Sequence, residues 1–291
     1  MAGMAGCSPR RRRPGPGWLA AAAALTVLAL LAGCTSSGSS DGSPPASKLQ
    51  AALKHWASFP VNAVIRPVVV NAGQNVSDPE LPGAGEDAFN AGAITLPRTL
   101  PSGPARIGSY SLISAAHAAA ELKSRHGPGP KPATRLTVTR VHLGADIYGT
   151  DRGRQALPAW RFSLRGAKRT ADVLAVAADQ RYWPAGLKEV DTPVSASQPG
   201  RSGLVLTLTT IGAPVGTGPC QATYSVRQRS SAQAVAVDVV AKEDDHGQSC
   251  GASGVQIALR VTLSAPLGSR VLVDADTSAP IPVTQPLVSS S

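Results

Sequence analysis

The sequence predicts an α+β protein, mostly antiparallel β, with a helix-plus-meander N-terminal part and an all-β C-terminal part. Three observations predict it. An alanine-rich segment with helix start and stop signals, residues 111–126, is followed by three β-patterned segments joined by short turns. Four later segments alternate apolar and polar residues with period two. Between them lies "KEVDTPVSASQPGRSG", residues 188–203, a polar stretch with two prolines that reads as a boundary.

Taken in order, residues 46–59, "ASKLQAALKHWASF", place Leu49, Leu53, Trp56 and Phe59 near one helical face, which predicts a short amphipathic helix. Residues 60–108 are rich in Pro and Gly. They read as one strand in "NAVIRPVVVNA" followed by a long irregular excursion with room for one further strand. In "SLISAAHAAAELKSRH", 111–126, Ser111 or Ser114 caps the helix start, and Gly127-Pro128 stops it. "ATRLTVTRVHLGADIYG" (133–149) and "QALPAWRFSLRG" (155–166) flank the turn signal "TDRGR" and predict a hairpin. "ADVLAVAA" (171–178) predicts its third strand. This helix-plus-sheet order resembles in shape the PepSY and cystatin-like modules of exported proteins.

Beyond residue 203 the alternating sets are Leu204/Leu206/Leu208, Ala222/Tyr224/Val226, Val235/Val237/Val239 and Ile257/Leu259/Val261/Leu263. They predict an antiparallel sheet with one buried face. "SRVLVDADTSAPIPV" (269–283) adds a fifth strand and a turn. The expected organisation is an α+β domain over 48–190 and an all-β domain over 200–285.

The N-terminus carries a different message. Arg10 to Arg13 precede the apolar run "WLAAAAALTVLALLAG", Trp18 to Gly33, and no acidic residue occurs before Asp41. A basic segment followed by a short apolar one is a secretion signal. The run is 16 residues long, short of the roughly 20 that a membrane-spanning helix needs. It ends in Leu31-Ala-Gly-Cys34, "LAGC", which resembles a bacterial lipobox. The resemblance implies that residues 1–33 are a lipoprotein signal peptide. It implies that Cys34 is diacylglycerylated and becomes the first residue of the mature chain, and that Cys7 is discarded. Several acyl chains together anchor stably where one does not. Residues 34–47 follow as a tether of Ser, Gly and Pro, which build no core. Arginines outnumber lysines 21 to 7 and alanine is abundant, the usage of a GC-rich genome. With the lipobox, the chain resembles the exported lipoproteins of actinobacteria. That implies a place on the extracytoplasmic face of the cell membrane, held through the lipid on Cys34.

Composition limits the partners. Four of the 28 Lys/Arg lie in the signal, which leaves 24 against 18 Asp/Glu in the mature chain. No basic stripe with interleaved aromatics occurs, so a nucleic-acid site is not expected. The mild basic excess suits an anionic wall polymer, anionic lipid headgroups or an envelope protein.

"GQSCG", residues 247–251, matches the nucleophile pattern G-x-S-x-G around Ser249. A nucleophile elbow stands between a strand and a helix. Here a polar loop precedes and a strand follows, so the segment is assigned to Cys250 instead. Cys220 stands just before one strand of a hairpin, and Cys250 lies in the loop after the returning strand. Strand counting brings the two to one end, and export favours their oxidation. Closing a loop of about 30 residues stabilises by roughly 3–4 kcal/mol in the chain-entropy picture. A Cys220–Cys250 disulfide is therefore expected.

The other polar clusters read as structure. His246 beside Asp244 and Asp245 reads as a solvated hairpin end. His117 and His142 have no partner spacing, and Asp146 and Asp151 flank a turn. "DADTSA" lacks the glycine and distal glutamate of a calcium loop. Trp160, Phe162, Tyr182 and Trp183 read as core aromatics before sugar-stacking ones. Asn75-Val-Ser77 fits a glycosylation sequon of little weight in a bacterium. No catalytic residue, metal or cofactor is assigned, and no ligand-binding residue can be named. The expected function is a non-catalytic binding or scaffolding module of the cell envelope. The alternative is a sensing or solute-binding lipoprotein serving a membrane receptor or transporter, and an envelope hydrolase is the least favoured reading.

Overall fold

Helix α1 (Pro45–His55) forms where the apolar spacing predicts it. Leu49, Ala52, Leu53 and Trp56 fall on one face and are buried, and Phe59 follows them into the same core. Lys54 and His55 end the helix, where cations complement its dipole. The computed structural model describes residues 45–70, 75–124, 134–188, 190, 192–198, 202–243 and 254–284.

Among the described residues of the expected strand at 62–72, only β1 (Val68–Val69) forms, paired in parallel with residues 181–182. The excursion over 60–108 holds more structure than its composition announces. Helix α2 (Ala84–Asn90) follows Gly83, whose φ of +47 suits glycine, and buries only Ala88 and Phe89. Seven residues with two buried side chains give no readable helical period. Three short strands follow: β2 (Ile94–Thr95), β3 (Arg106–Ile107) and β4 (Tyr110–Ser111). Helix α3 (Ala115–Ser124) is capped by Ser114, whose Oγ accepts the His117 backbone N–H at 3.2 Å; Ser111 belongs to β4 instead.

The predicted hairpin is β5 (Leu136–Thr150) and β6 (Gly153–Leu164), joined at Asp151-Arg152, with Gly153 at φ +78. Strand β7 (Ala171–Leu174) completes the antiparallel meander, and β2 adds to β5 in parallel. A register shift between Val138 and Arg140 bulges β5. One face of this sheet packs Leu136, Val138, Trp160, Phe162 and Leu164 against Phe89 of α2 and Leu122 of α3. The opposite face packs Tyr148, Leu157, Ala159 and Leu174 against Val68 and Val70. Both faces of β7 are therefore buried, which explains its unbroken burial.

After β8 (Arg181–Tyr182) the elements among the described residues are all strands: β9 (Ser195–Ser197), β10 (Val205–Gly212), β11 (Ala222–Ser230), β12 (Ala234–Glu243), β13 (Val255–Thr262), β14 (Val271–Asp274) and β15 (Val283–Thr284). These form two sheets, ordered β13-β10-β9-β15 and β11-β12-β14. Leu206, Leu208 and Val261 of one pack against Val235, Val237 and Leu272 of the other. The expectation of one sheet with one buried face needs two corrections. The alternating strands belong to two sheets facing each other. The outer face of β12 and β14 is also covered, because Ala234, Ala236, Val271 and Val273 lie under Leu49, Leu53 and Trp56 of the α1 region. Small alanines on that face admit the helix.

The α+β class, mostly antiparallel, holds. Residues 43–291 form one compact unit spanning both expected parts, 48–190 and 200–285, and all four described cores close within it.

Candidate sandwich-end cleft

The inner row of β10 runs Leu206, Leu208, Thr210, Gly212, and the facing row of β12 runs Val235, Val237, Val239, Ala241. Large side chains meet in the first half of these rows. In the second half the residues shrink to Thr210, Gly212 and Ala241, and the layers do not close. A cleft of about 230 Å³ remains. Its floor is Val237 and Val239, Tyr224 of β11 forms one wall, and Asp274 and Asp276 stand with Val194 on the rim. Ile211 is exposed beside it.

Gly212 sets the Tyr224 wall. The Tyr224 hydroxyl donates to the Ala213 carbonyl at 2.7 Å and occupies the space where a Gly212 Cβ would stand. Gly212→Ala is expected to displace the ring and cost about 1–3 kcal/mol. In Gly212→Ala/Tyr224→Phe the overlap is gone, so the pair should lose less than the two single variants summed. A denaturant-unfolding double-mutant cycle checks this, and simple additivity would contradict it.

The rim is acidic and pre-ordered. Asp274 Oδ2 accepts the Thr192 hydroxyl at 2.8 Å, and Oδ1 accepts the backbone N–H of Asp276 at 2.7 Å and of Thr277 at 3.3 Å. Asp276 pairs with Lys48 at 2.8 Å. Asp238 is buried on the outer face of β12. Burial raises its carboxyl above the ordinary 3.8, and Asp276 and Asp274 push it the same way against Lys48 and Arg227. The folded state therefore binds this proton more tightly than the unfolded chain. The stability linked to it is complete below the ordinary value and is lost as pH rises through the raised one. Asp172, lifted chiefly by burial, has the same sign. Asp238→Asn is expected to raise the melting temperature at neutral pH and to remove the stabilisation that protonating Asp238 is expected to give the wild type on acidification. Thermal unfolding across a pH series measures both.

The residues singled out by sequence are distributed as follows. Cys34, Asp244, Asp245, His246, Ser249 and Cys250 lie outside the described residues. Cys220 precedes β11 at φ +59, a left-handed conformation uncommon for a side-chain-bearing residue. The β11–β12 register pairs Ala222 with Glu243, so the chain leaves β12 at the end where Cys220 stands. His117 is exposed and meets Glu121 one helical turn on, at 3.3 Å. His142 is half-buried on β5, and its Nδ1 has no hydrogen-bond partner among the described residues. Asp146 is half-buried, whereas Asp151 is buried in a hairpin-tip ion cluster with Arg66 and Arg152. Asp274 of "DADTSA" organises a turn.

The aromatics are core. Trp160 and Phe162 are buried, and Trp160 Nε1 donates to the Ile113 carbonyl at 2.9 Å. Tyr182 and Trp183 cluster with Trp56 and Phe59. Sequence reasoning missed Thr210, Gly212 and Tyr224 as a group. The available signal was the fall in side-chain size along Leu206, Leu208, Thr210, Gly212.

No protein family, no curated protein and no solved structure matches this chain.

Proposed function

We propose that this chain is a lipid-anchored extracytoplasmic lipoprotein that acts as a non-catalytic binding module of the cell envelope. The observation that carries the binding role is the sandwich-end cleft, with its apolar floor, hydroxyl-bearing wall and carboxylate rim. Binding is favoured over catalysis because Asp274 spends its oxygens on Thr192 and on its own turn. The anchor is supported by "LAGC" and by where the folded body starts. Helix α1 begins at Pro45, eleven residues after the Cys34 position. We further propose the Cys220–Cys250 disulfide at the same end as the cleft; the β11–β12 register supports it.

The concave shape and mixed apolar and acidic lining of the cleft favour the solute-binding alternative over a purely scaffolding role. An apolar floor beside Asp276, whose ion pair with Lys48 is open to solvent, suits a small apolar molecule with a cationic head. Hexylamine is the probe and hexanoate its charge-reversed control. On titration, the Ile211, Val237 and Val239 methyl NMR signals should move with hexylamine and stay with hexanoate, and Gly212→Ala should abolish the shifts. Methyl signals unmoved by hexylamine would remove the cleft as the site. For the anchor, Cys34→Ala is expected to move the protein from the membrane fraction to the soluble one. Unchanged membrane retention would contradict the lipid role of Cys34.

A further inference from the structure

The sheet face that packs on Val68 and Val70 in its middle is open to solvent at one end, and there it is basic. Leu136 and Val138 point into the helix-side core, so Arg135, Thr137 and Thr139 fall on the opposite face. After the bulge the parity changes. Val141 and Leu143 pack toward the helix-side core and Tyr148 toward the other, which puts Arg140 on the same face as Arg135. On β6, Trp160, Phe162 and Leu164 take the helix side, leaving Ser163 opposite, and Arg165 follows in the turn after the strand. The Arg165 backbone N–H donates to Thr137 O at 2.9 Å, and Arg140 stands across from Ser163. Arg135 just before β5, Arg140 within it and Arg165 just after β6 thus share one patch, interleaved with hydroxyls.

All three arginines are exposed, as is Lys168 in the next turn. None of the four has a carboxylate partner among the described residues. Arg135 Nε makes one bond, to Thr95 Oγ1 at 3.4 Å. Two carboxylates of the adjoining segments are held by other arginines: Asp172 by Arg161 at 3.1 Å and Glu80 by Arg169 at 3.0 Å. A sheet face presenting solvated guanidiniums among hydroxyls matches a planar array of phosphates, which guanidinium binds in fork geometry.

We propose that this face docks the body onto the anionic phosphate headgroups of the membrane that tethers it. The inference rests on the lipid-anchor reading. The ten residues between Cys34 and Pro45 reach at most roughly 33–36 Å when extended. They hold the body near a surface whose field decays within about 8 Å. Tethering adds effective concentration to the affinity that the patch has on its own. Each arginine near an anionic surface contributes roughly fivefold in partitioning.

The test uses residues 43–291, the unit in which all the described cores close, without a lipid. Its outcome is therefore independent of the fate of Cys34. Partitioning is measured on phosphatidylglycerol–phosphatidylcholine vesicles and on pure phosphatidylcholine vesicles. Arg135→Gln/Arg140→Gln/Arg165→Gln should lose roughly 100-fold on the anionic vesicles with an unchanged melting temperature. Arg227→Gln/Arg229→Gln/Arg260→Gln, the same charge change on the sandwich, should lose far less. Wild-type binding should fall with added salt. Equal partitioning to both vesicle types, or equal loss in the two triple variants, would overturn the proposal. So would binding to a soluble polyphosphate with none to the vesicles.

Discussion

Trp56→Ala is expected to destabilise the protein by about 3–5 kcal/mol, read as a lowered urea midpoint. Trp56 is fully buried. Its ring lies 6.1 Å from Phe59, 5.8 Å from Tyr182 and 6.4 Å from Trp183. Its Nε1 donates to the Ser278 carbonyl at 2.9 Å. Ser278 is at φ +61, an uncommon conformation for serine, and its own N–H is held by Asp274 O at 2.8 Å. One side chain therefore seats α1 on β12 and β14, closes the aromatic cluster and ties down the turn behind the cleft rim. Truncation removes the ring and leaves the Ser278 carbonyl without that donor. Trp56→Phe keeps most of the apolar volume and isolates the lost hydrogen bond, so its cost should be well below that of alanine. An alanine variant within about 1 kcal/mol of wild type would mean that the cluster collapses around the gap.

Asp151→Ala is expected to cost about 3–5 kcal/mol, the range for removing one partner of a buried ion pair. The carboxylate is 2% exposed at the tip of the β5–β6 hairpin. Arg66 Nη1 donates to it at 3.2 Å, with a second, short bond from Nη2, and Arg152 Nε lies 3.5 Å away. Arg152 also donates to the carbonyls of Gly268 at 2.7 Å and Arg270 at 2.8 Å, and the Val283 N–H donates to Asp151 O at 3.0 Å. The hairpin tip thus fastens the meander to the sandwich. Burial lowers the Arg152 pKa, and Asp151 opposes that shift. Without Asp151, two partly buried guanidiniums would face each other uncompensated. Arg66→Met, which leaves Asp151 with Arg152, should cost less than Asp151→Ala. Urea unfolding of the two variants orders them, and the reverse order would contradict this account.

Much of this architecture was legible in the sequence because local rules and packing agree. Leu49, Leu53, Trp56 and Phe59 gave α1 its buried face, and "TDRGR" gave the hairpin its turn. The alternation from Leu204 to Leu263 gave the sandwich strands. What was not legible depended on partners distant in sequence. Two-residue strands such as β2 and β15 exist through pairing with β5 and β9, and their own residues carry no period. Strand β9 sits inside a stretch whose prolines read as a boundary. Ala234 and Ala236 alternate with Val235 and Val237 as a solvent face would, yet they are buried because α1 arrives from 180 residues earlier. The cleft was hidden for the same reason: it is a gap between two sheets, and one strand shows only half of it.

The anchor is the part of the account on which the cell-envelope reading depends, and the mass of the N-terminal peptide of the mature protein, purified from membranes, tests it most directly. The account predicts a chain that begins at Cys34, with the mass of a diacylglyceryl group on that residue. A chain that retains residues 1–33, starts elsewhere, or carries an unmodified Cys34 would contradict it.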